Sequence, residues 1–293
     1  MSSSIPKSLV LVSLVGALSC GGDPVSETGS AVVTNIGFAA RNGEMAGELE
    51  VSEGIDLDGS VSDRSDVDSC RKSDFVAPDG RAGIDNQFTY LFETVEEMAE
   101  EGTVEGIIQG SINGGRLLLM IEVEDVQDWT NDDSVSVRVF NAVGTPNLAA
   151  DGYLVPDQTF DIDPESPINE GSGRIVDGVL ETDPFEVELP MAFFNVFFDL
   201  RLVGAQIRAN IGPEGVTDGV MGGAVTIDQI LGIAAMADEM QEVQYGGLLM
   251  GVLPGMADME RVDGRCTALS ANLYFESRRA FLYPEPAPEP EAE

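Results

Sequence analysis

Histidine is absent from this sequence of 293 residues, and lysine occurs only as Lys7 and Lys72. The first absence removes Ser-His-Asp and Cys-His catalysis, histidine metal sites and histidine pH switches. It also takes away one of the two usual ligand types of zinc. Cysteine is scarce, with Cys20, Cys70 and Cys266 the whole set, and Trp129 is the only tryptophan. Any catalysis would have to run on carboxylates, Lys72, Tyr, Ser or Thr. Positive charge is short as a class: 15 Lys and Arg face 52 Asp and Glu, a formal charge of −37. Nonspecific nucleic-acid binding, which sets clustered cations against phosphates, is excluded. Anionic lipid surfaces are disfavoured for the same reason. Such a balance suits multivalent cations, cationic partners or a salty habitat. The hydrophobic fraction, 43%, is that of a chain able to fold.

The apolar run Ser8 to Leu18 (SLVLVSLVGAL) has 11 residues, short of the ~20 that span a bilayer core. It follows a polar start with one positive charge and precedes small residues, the form of a signal-peptide core. The closing residues, Ala17-Leu18-Ser19-Cys20, resemble the lipobox of bacterial lipoproteins, with Ala17 where Leu is commoner. That resemblance implies a signal peptide over 1–19 and a lipid on Cys20 as the membrane anchor. Gly21, standing where Asp would retain the protein at the inner membrane, implies the outer membrane. An ordinary cleaved signal, with Cys20 lost or left free, is the other reading. Residues 20–30 carry turn-formers without an apolar period and read as a flexible tether. The tail over 284–293, PEPAPEPEAE, is acidic and proline-rich and reads as disordered.

Taking residues 1–19 from 293 leaves 274, enough for one large domain or two small ones. Cys70 and Cys266 are expected to pair in an oxidising compartment; two buried free thiols are the alternative. A bond closing a loop of roughly 200 residues is worth ~5 kcal/mol in the chain-entropy model. It would tie the two ends of the chain together, which favours one β-rich domain over 31–283.

Within that span Ala31 to Ala40 reads as a first strand, being rich in β-branched and apolar residues. Thr94 and Glu97 have the spacing of a helix capping box. Val104, Ile107, Ile108 and Ile112 then follow at helical spacing, up to a stop at Asn113-Gly114-Gly115. Leu117 to Val123 predicts a central strand covered on both faces at its start. Val135, Val137 and Val139 predict a half-buried one. The apolar positions Phe198, Leu200 and Leu202 are even, whereas Ile207, Ala209 and Ile211 are odd. A β-bulge at Gly204-Ala205 would restore one face to the core. Thr226 to Gln229 is a second capping box, opening a helix through Met240. The Gly- and Met-rich stretch 246–259 is ambiguous, and Leu269 to Leu282 reads as the last strand. Strands joined by short turns dominate. The expected fold is mainly β: a β-sandwich or curved antiparallel sheet with two or three helices, with α+β as the fallback.

One segment stands apart. From Asp56 to Asp85 there are eight Asp in 30 positions and no Glu, although the whole chain has 25 Asp and 27 Glu. Short carboxylates two or three apart around a glycine can converge on one hard cation, because calcium takes six to eight oxygen ligands in flexible geometry. Asp56, Asp58, Gly59, Asp63, Asp66, Asp68 and Cys70 carry a resemblance to the calcium loops of thrombospondin type 3 repeats, and a looser one to EF-hand and dockerin loops. An EF-hand register on Gly59 would put Gly54 and Ser65 where the end carboxylates belong. Thrombospondin-type loops come in arrays, and here there is one. Asp79 and Asp85 lie in a second half, DGRAGIDNQ. Together with the acidic run and the lipobox, that half resembles predicted lipoproteins of predatory and soil, myxobacteria-like Gram-negative bacteria, a resemblance that bears on localisation only. The candidate calcium ligands are thus Asp56, Asp58, Asp63, Asp66, Asp68, Asp79 and Asp85. The competing reading is a solvated loop in which Asp forms turns and caps.

Three functions follow as expectations. The first is a lipid-anchored, non-enzymatic binding or structural module with a calcium-ordered loop over 54–87, bound to the membrane through its lipid and to an unidentified protein or glycan. The second is a carboxylate-dependent hydrolase of extracellular or cell-wall polysaccharide. The third is a carrier of an apolar ligand, motivated by Phe193, Phe194, Phe197, Phe198 and the Met-rich stretch 236–259. Trp129, flanked by Asp128, Asn131, Asp132 and Asp133, is either a buried anchor or a platform for a sugar ring.

Overall fold

The computed structural model describes residues 26–98, 103–193, 196–241 and 245–283. The signal region, Cys20, Phe194 and the 284–293 tail lie outside them, as do the side chains of Phe193 and Phe197. Along the chain, β1 (Glu27–Phe38) leads into β2 (Arg41–Ala46), β3 (Leu49–Ser52), β4 (Phe75–Val76) and β5 (Ala82–Ile84). Helices α1 (Phe88–Met98) and α2 (Thr103–Asn113) follow, then β6 (Leu118–Val126) and β7 (Asp132–Val143). Next come β8 (Gln158–Ile162), β9 (Asn169–Val176), β10 (Val179–Thr182), β11 (Phe185–Phe193), β12 (Val196–Gly212) and β13 (Gly215–Thr226). Helices α3 (Ile227–Gln241) and α4 (Tyr245–Met256) precede β14 (Met259–Val262) and β15 (Arg265–Leu282). The first strand begins inside the stretch expected to be tether, because Glu27, Gly29 and Ser30 already pair with β6.

The molecule is mainly β, as its sequence predicts, and its curved antiparallel sheet closes on itself. Eight strands form a ring in the order β1, β6, β7, β9, β10, β12, β13, β15, each antiparallel to the next. The last returns to the first, with Ile36 opposite Phe275. Strands of the ring that follow one another in the chain are neighbours in space, so the barrel is an up-and-down meander. Closure removes both edges, which a sandwich would have left in place. Among the described residues there are four helices, against the two or three expected.

Registers put one residue parity of each strand inside the barrel. Val33, Ile121, Val137, Ile175, Leu180, Ile207, Met221, Leu273 and Phe275 all lie on that side and are buried. The opposite face is polar over β9, β10 and β12. Over β1, β6 and β7, however, it carries a second apolar layer of Val32, Leu118, Met120 and Phe140, each no more than 1% exposed. This double burial is why β6 reads as apolar on both faces in the sequence.

The parity switch in β12 is present. Leu200 and Leu202 are buried, then Ala205, Ile207 and Ala209. The register against β13 slips between Val203 and Gln206, and Gly204 takes a φ of 59°. At α3, the Thr226 hydroxyl accepts the Gln229 amide at 3.2 Å. The Gln229 side chain does not return the bond; it donates to the Asp199 carbonyl. The first capping box fails. Thr94 lies inside α1, its hydroxyl donating back to the Tyr90 carbonyl. Phe88 and Phe92 start that helix earlier by packing against Phe38. Trp129 is half-buried, its ring laid over Gly29 and its indole N–H given to Glu27, so it acts as an anchor. Phe198 is partly buried against the core.

Candidate metal centre

Residues 52–87 form a strap across the outer face of the barrel, over β12, β13 and β15. Its seat is Asn272, whose side chain accepts the Ile55 amide at 3.2 Å and donates to the Asp85 carbonyl at 2.5 Å. Gly222, directly opposite Asn272 in β13, leaves the space for that side chain: a Cβ there would stand 2.2 Å from its oxygen. Gln206 of β12 adds a hydrogen bond to the Leu57 carbonyl. The strap is fastened at its far end by the Cys70–Cys266 disulfide, formed as expected, and by Lys72, which donates to the Gly255 carbonyl of α4.

At the near end the chain turns tightly through Asp56, Leu57, Asp58 and Gly59. The Asp56 carboxylate accepts the amides of Gly59 (2.7 Å) and Ser60 (3.1 Å), and Asp58 accepts Ser60 (2.8 Å). Gly59 closes the turn at a φ of 76°. Asp85, arriving from the end of β5, accepts the amides of Leu57 (2.8 Å) and Asp58 (3.3 Å) from beneath. Three carboxylates from two separate stretches are thus brought together, one oxygen of each within 4.8 Å of the others. Asp85 is only 4% exposed, Asp56 is half-buried and Asp58 faces solvent.

Burial dominates the electrostatics. Loss of water pushes the Asp85 carboxyl up to about 8, against two favourable amides and with the charges of Asp58, Asp74 and Asp258 adding to the rise. Burial likewise raises Asp56, with Asp58 contributing. Among the described residues no Lys or Arg forms an ion pair with Asp56, Asp58 or Asp85. An unpaired carboxylate cluster of this kind favours either a proton or a hard cation.

The other four Asp singled out in the sequence do different work. Asp63 accepts the Ser65 amide and hydroxyl, which hold it below its usual range, and Asp66 accepts the Asp68 amide. Asp68 pairs with Arg261, and Asp79 with Arg81 at 2.8 Å. The strap is therefore half turn-former and half cluster.

Comparison with protein-family models, with curated proteins and with solved structures finds no match.

Two carboxylates escape the sequence reading. Asp74 is 5% exposed, accepts the Ser62 amide and is pushed by burial to about 6. Asp258, just after α4, is 7% exposed, accepts the amide and hydroxyl of Ser270, and is pushed by burial to about 7. The Ser270 hydroxyl in turn accepts the Gln87 amide, two residues from Asp85. Asp74 had a local signal, since it sits in the Asp-rich run. Asp258 had none, because only the folding of β14 onto β15 brings it near.

Proposed function

We propose that this protein is an exported, lipid-anchored barrel of the bacterial cell envelope. It acts as a binding or structural module rather than an enzyme, and its strap is ordered by calcium. The observation that carries the calcium reading is the convergence of Asp56, Asp58 and Asp85 without a cationic partner among the described residues. Hard carboxylate oxygens and the absence of histidine favour calcium over zinc. Three side-chain ligands leave the remaining positions of a calcium ion to backbone carbonyls and water. The anchor reading rests on the lipobox-like Ala17-Leu18-Ser19-Cys20. The apolar-carrier reading is weakened by the interior, where Met221, Leu273 and Phe275 are no more than 1% exposed.

Calorimetric titration with calcium tests the site: one saturable ion per chain is expected, and Asp56→Ala should weaken it at least tenfold. Equal binding by the wild type and the variant would place any ion elsewhere. For the anchor, Cys20→Ala should move the protein from the membrane fraction to the soluble one.

A further inference from the structure

From Tyr245 to Ala257 the chain carries no charged residue, although acids outnumber bases 52 to 15 overall. The inner side of α4 is taken, with Leu249 and Leu253 buried in the core. Gly247, Met250, Gly251 and Pro254 recur at helical spacing on the outer side and are exposed, Met250 by 63%. A Cβ at Gly247, Gly251 or Gly255 would meet nothing within 4 Å. No neighbour within the chain requires these glycines, and glycine weakens a helix interior relative to alanine. Small residues four apart do let a second helix approach to backbone contact. The exposed apolar surface extends beyond α4 to Met236 of α3, Val67 of the strap and Val262 of β14, which are 38%, 50% and 58% exposed. Such surface marks an interaction site.

Charge selects the occupant. At the C-terminal end of α4, Lys72 holds the strap to the Gly255 carbonyl, and Arg261 ties the β14–β15 hairpin to Asp68. Arg71 and Arg265 are exposed there and form no ion pair among the described residues. At the N-terminal end, Asp238 of α3 accepts the Gly246 amide, and the next residue, Glu239, is exposed. A twofold axis perpendicular to α4 sets two such helices antiparallel. It brings the cationic end of each against the acidic end of the other, a self-complementary contact as twofold symmetry requires. The uncharged centre is also where two copies of charge −37 repel each other least. At ~18 Å long, α4 is too small to fill ~800 Å² per partner, so the strap end and the hairpin complete the contact. A lipid surface fits less well. Asp258, just after α4, bonds to Ala268 of β15, whereas β1 begins beside Arg279, roughly 35 Å along that strand. The stretch from Cys20 to Glu27 reaches at most ~25 Å. That last point rests on the anchor reading above; the rest does not. We propose that α4 is the centre of a twofold interface between two copies of this chain, with Arg71 of each copy facing Glu239 of the other.

Sedimentation velocity on the full chain carrying Cys20→Ala, at fixed ionic strength over about a hundredfold range of concentration, tests it. A reversible monomer–dimer equilibrium is expected. Gly251→Glu should weaken it at least tenfold. Because a side chain there meets open space, the melting temperature of the dilute monomer should be no lower than that of the parent chain. Arg71→Glu should also weaken the dimer at least tenfold, and Arg71→Glu combined with Glu239→Arg should restore it. A chain monomeric throughout, a dimer indifferent to Gly251→Glu, or a charge exchange that restores nothing overturns the proposal. Flotation of the same chain with phosphatidylcholine vesicles, lost in Gly251→Glu, would assign the face to lipid and overturn it as well. None of these outcomes depends on calcium or on the lipid at Cys20.

Discussion

A carboxylate taken out of water needs compensation, and at Asp85 two backbone amides supply only part of it. The consequence is a pH dependence of known sign. Asp74, Asp258 and Asp85 are raised to about 6, 7 and 8 in the folded chain, well above the ~3.9 of an unfolded aspartate. Between about pH 4 and 8 the folded state therefore binds more protons than the unfolded one, and stability falls as pH rises through that window. Metal-free protein should melt higher at pH 5 than at pH 8, a difference read by thermal unfolding in matched ionic strength. Asp85→Asn keeps the acceptor for Leu57 and Asp58 while removing the charge. It should gain on the order of 1 kcal/mol over the wild type at pH 9 without calcium, and lose the calcium response. A variant that melts lower than the wild type under those conditions would show that Asp85 is already charge-compensated.

At the scale of elements, what was legible in the sequence was what repeats locally. The alternation in β7, the stripe of α2 and the parity switch in β12 each follow from side chains facing one core. Gly204 at the bulge has open space around a Cβ but a left-handed φ, so Gly204→Ala should cost ~1 kcal/mol through backbone strain alone; chemical denaturation gives the number. A cost near zero would mean the bulge can relocate. Long-range choices were not legible. Thr94 has the right spacing for a cap, yet packing of Phe88 and Phe92 on Phe38 starts α1 a turn and a half sooner. The cluster was half readable. Asp56 and Asp58 are close in sequence, and Asp85 belongs to the same run. Its separation from Asp63, Asp66, Asp68 and Asp79 depends on which of them find an amide or an arginine, and Asp258 depends on β14. The disulfide joins strap to β15 across a separation of 196 residues. Replacing both cysteines by serine should lower stability by about 3–5 kcal/mol, measured by urea unfolding. A loss below about 1 kcal/mol would mean that Lys72 and Asn272 hold the strap unaided.

For the whole molecule, closure of the barrel and the charge of −37 act against each other. The ring buries two apolar layers and leaves no open edge, while self-repulsion of so many acids favours expansion. The strap concentrates that repulsion at Asp56, Asp58 and Asp85, where a divalent cation would relieve it and would do so more as pH rises and Asp85 loses its proton. At millimolar calcium and a dissociation constant near 10⁻⁴ M the gain is ~1.4 kcal/mol, an adjunct to the disulfide. The most direct measurement is thermal unfolding of the disulfide-intact chain at constant high ionic strength, with calcium, with matched magnesium and with chelator. The midpoint should rise with calcium and not with magnesium, by a larger increment at pH 8 than at pH 5, and the rise should be lost in Asp56→Ala. Identical midpoints in calcium, magnesium and chelator would contradict it, and the strap would then be an acidic turn held by amides, arginines and one disulfide.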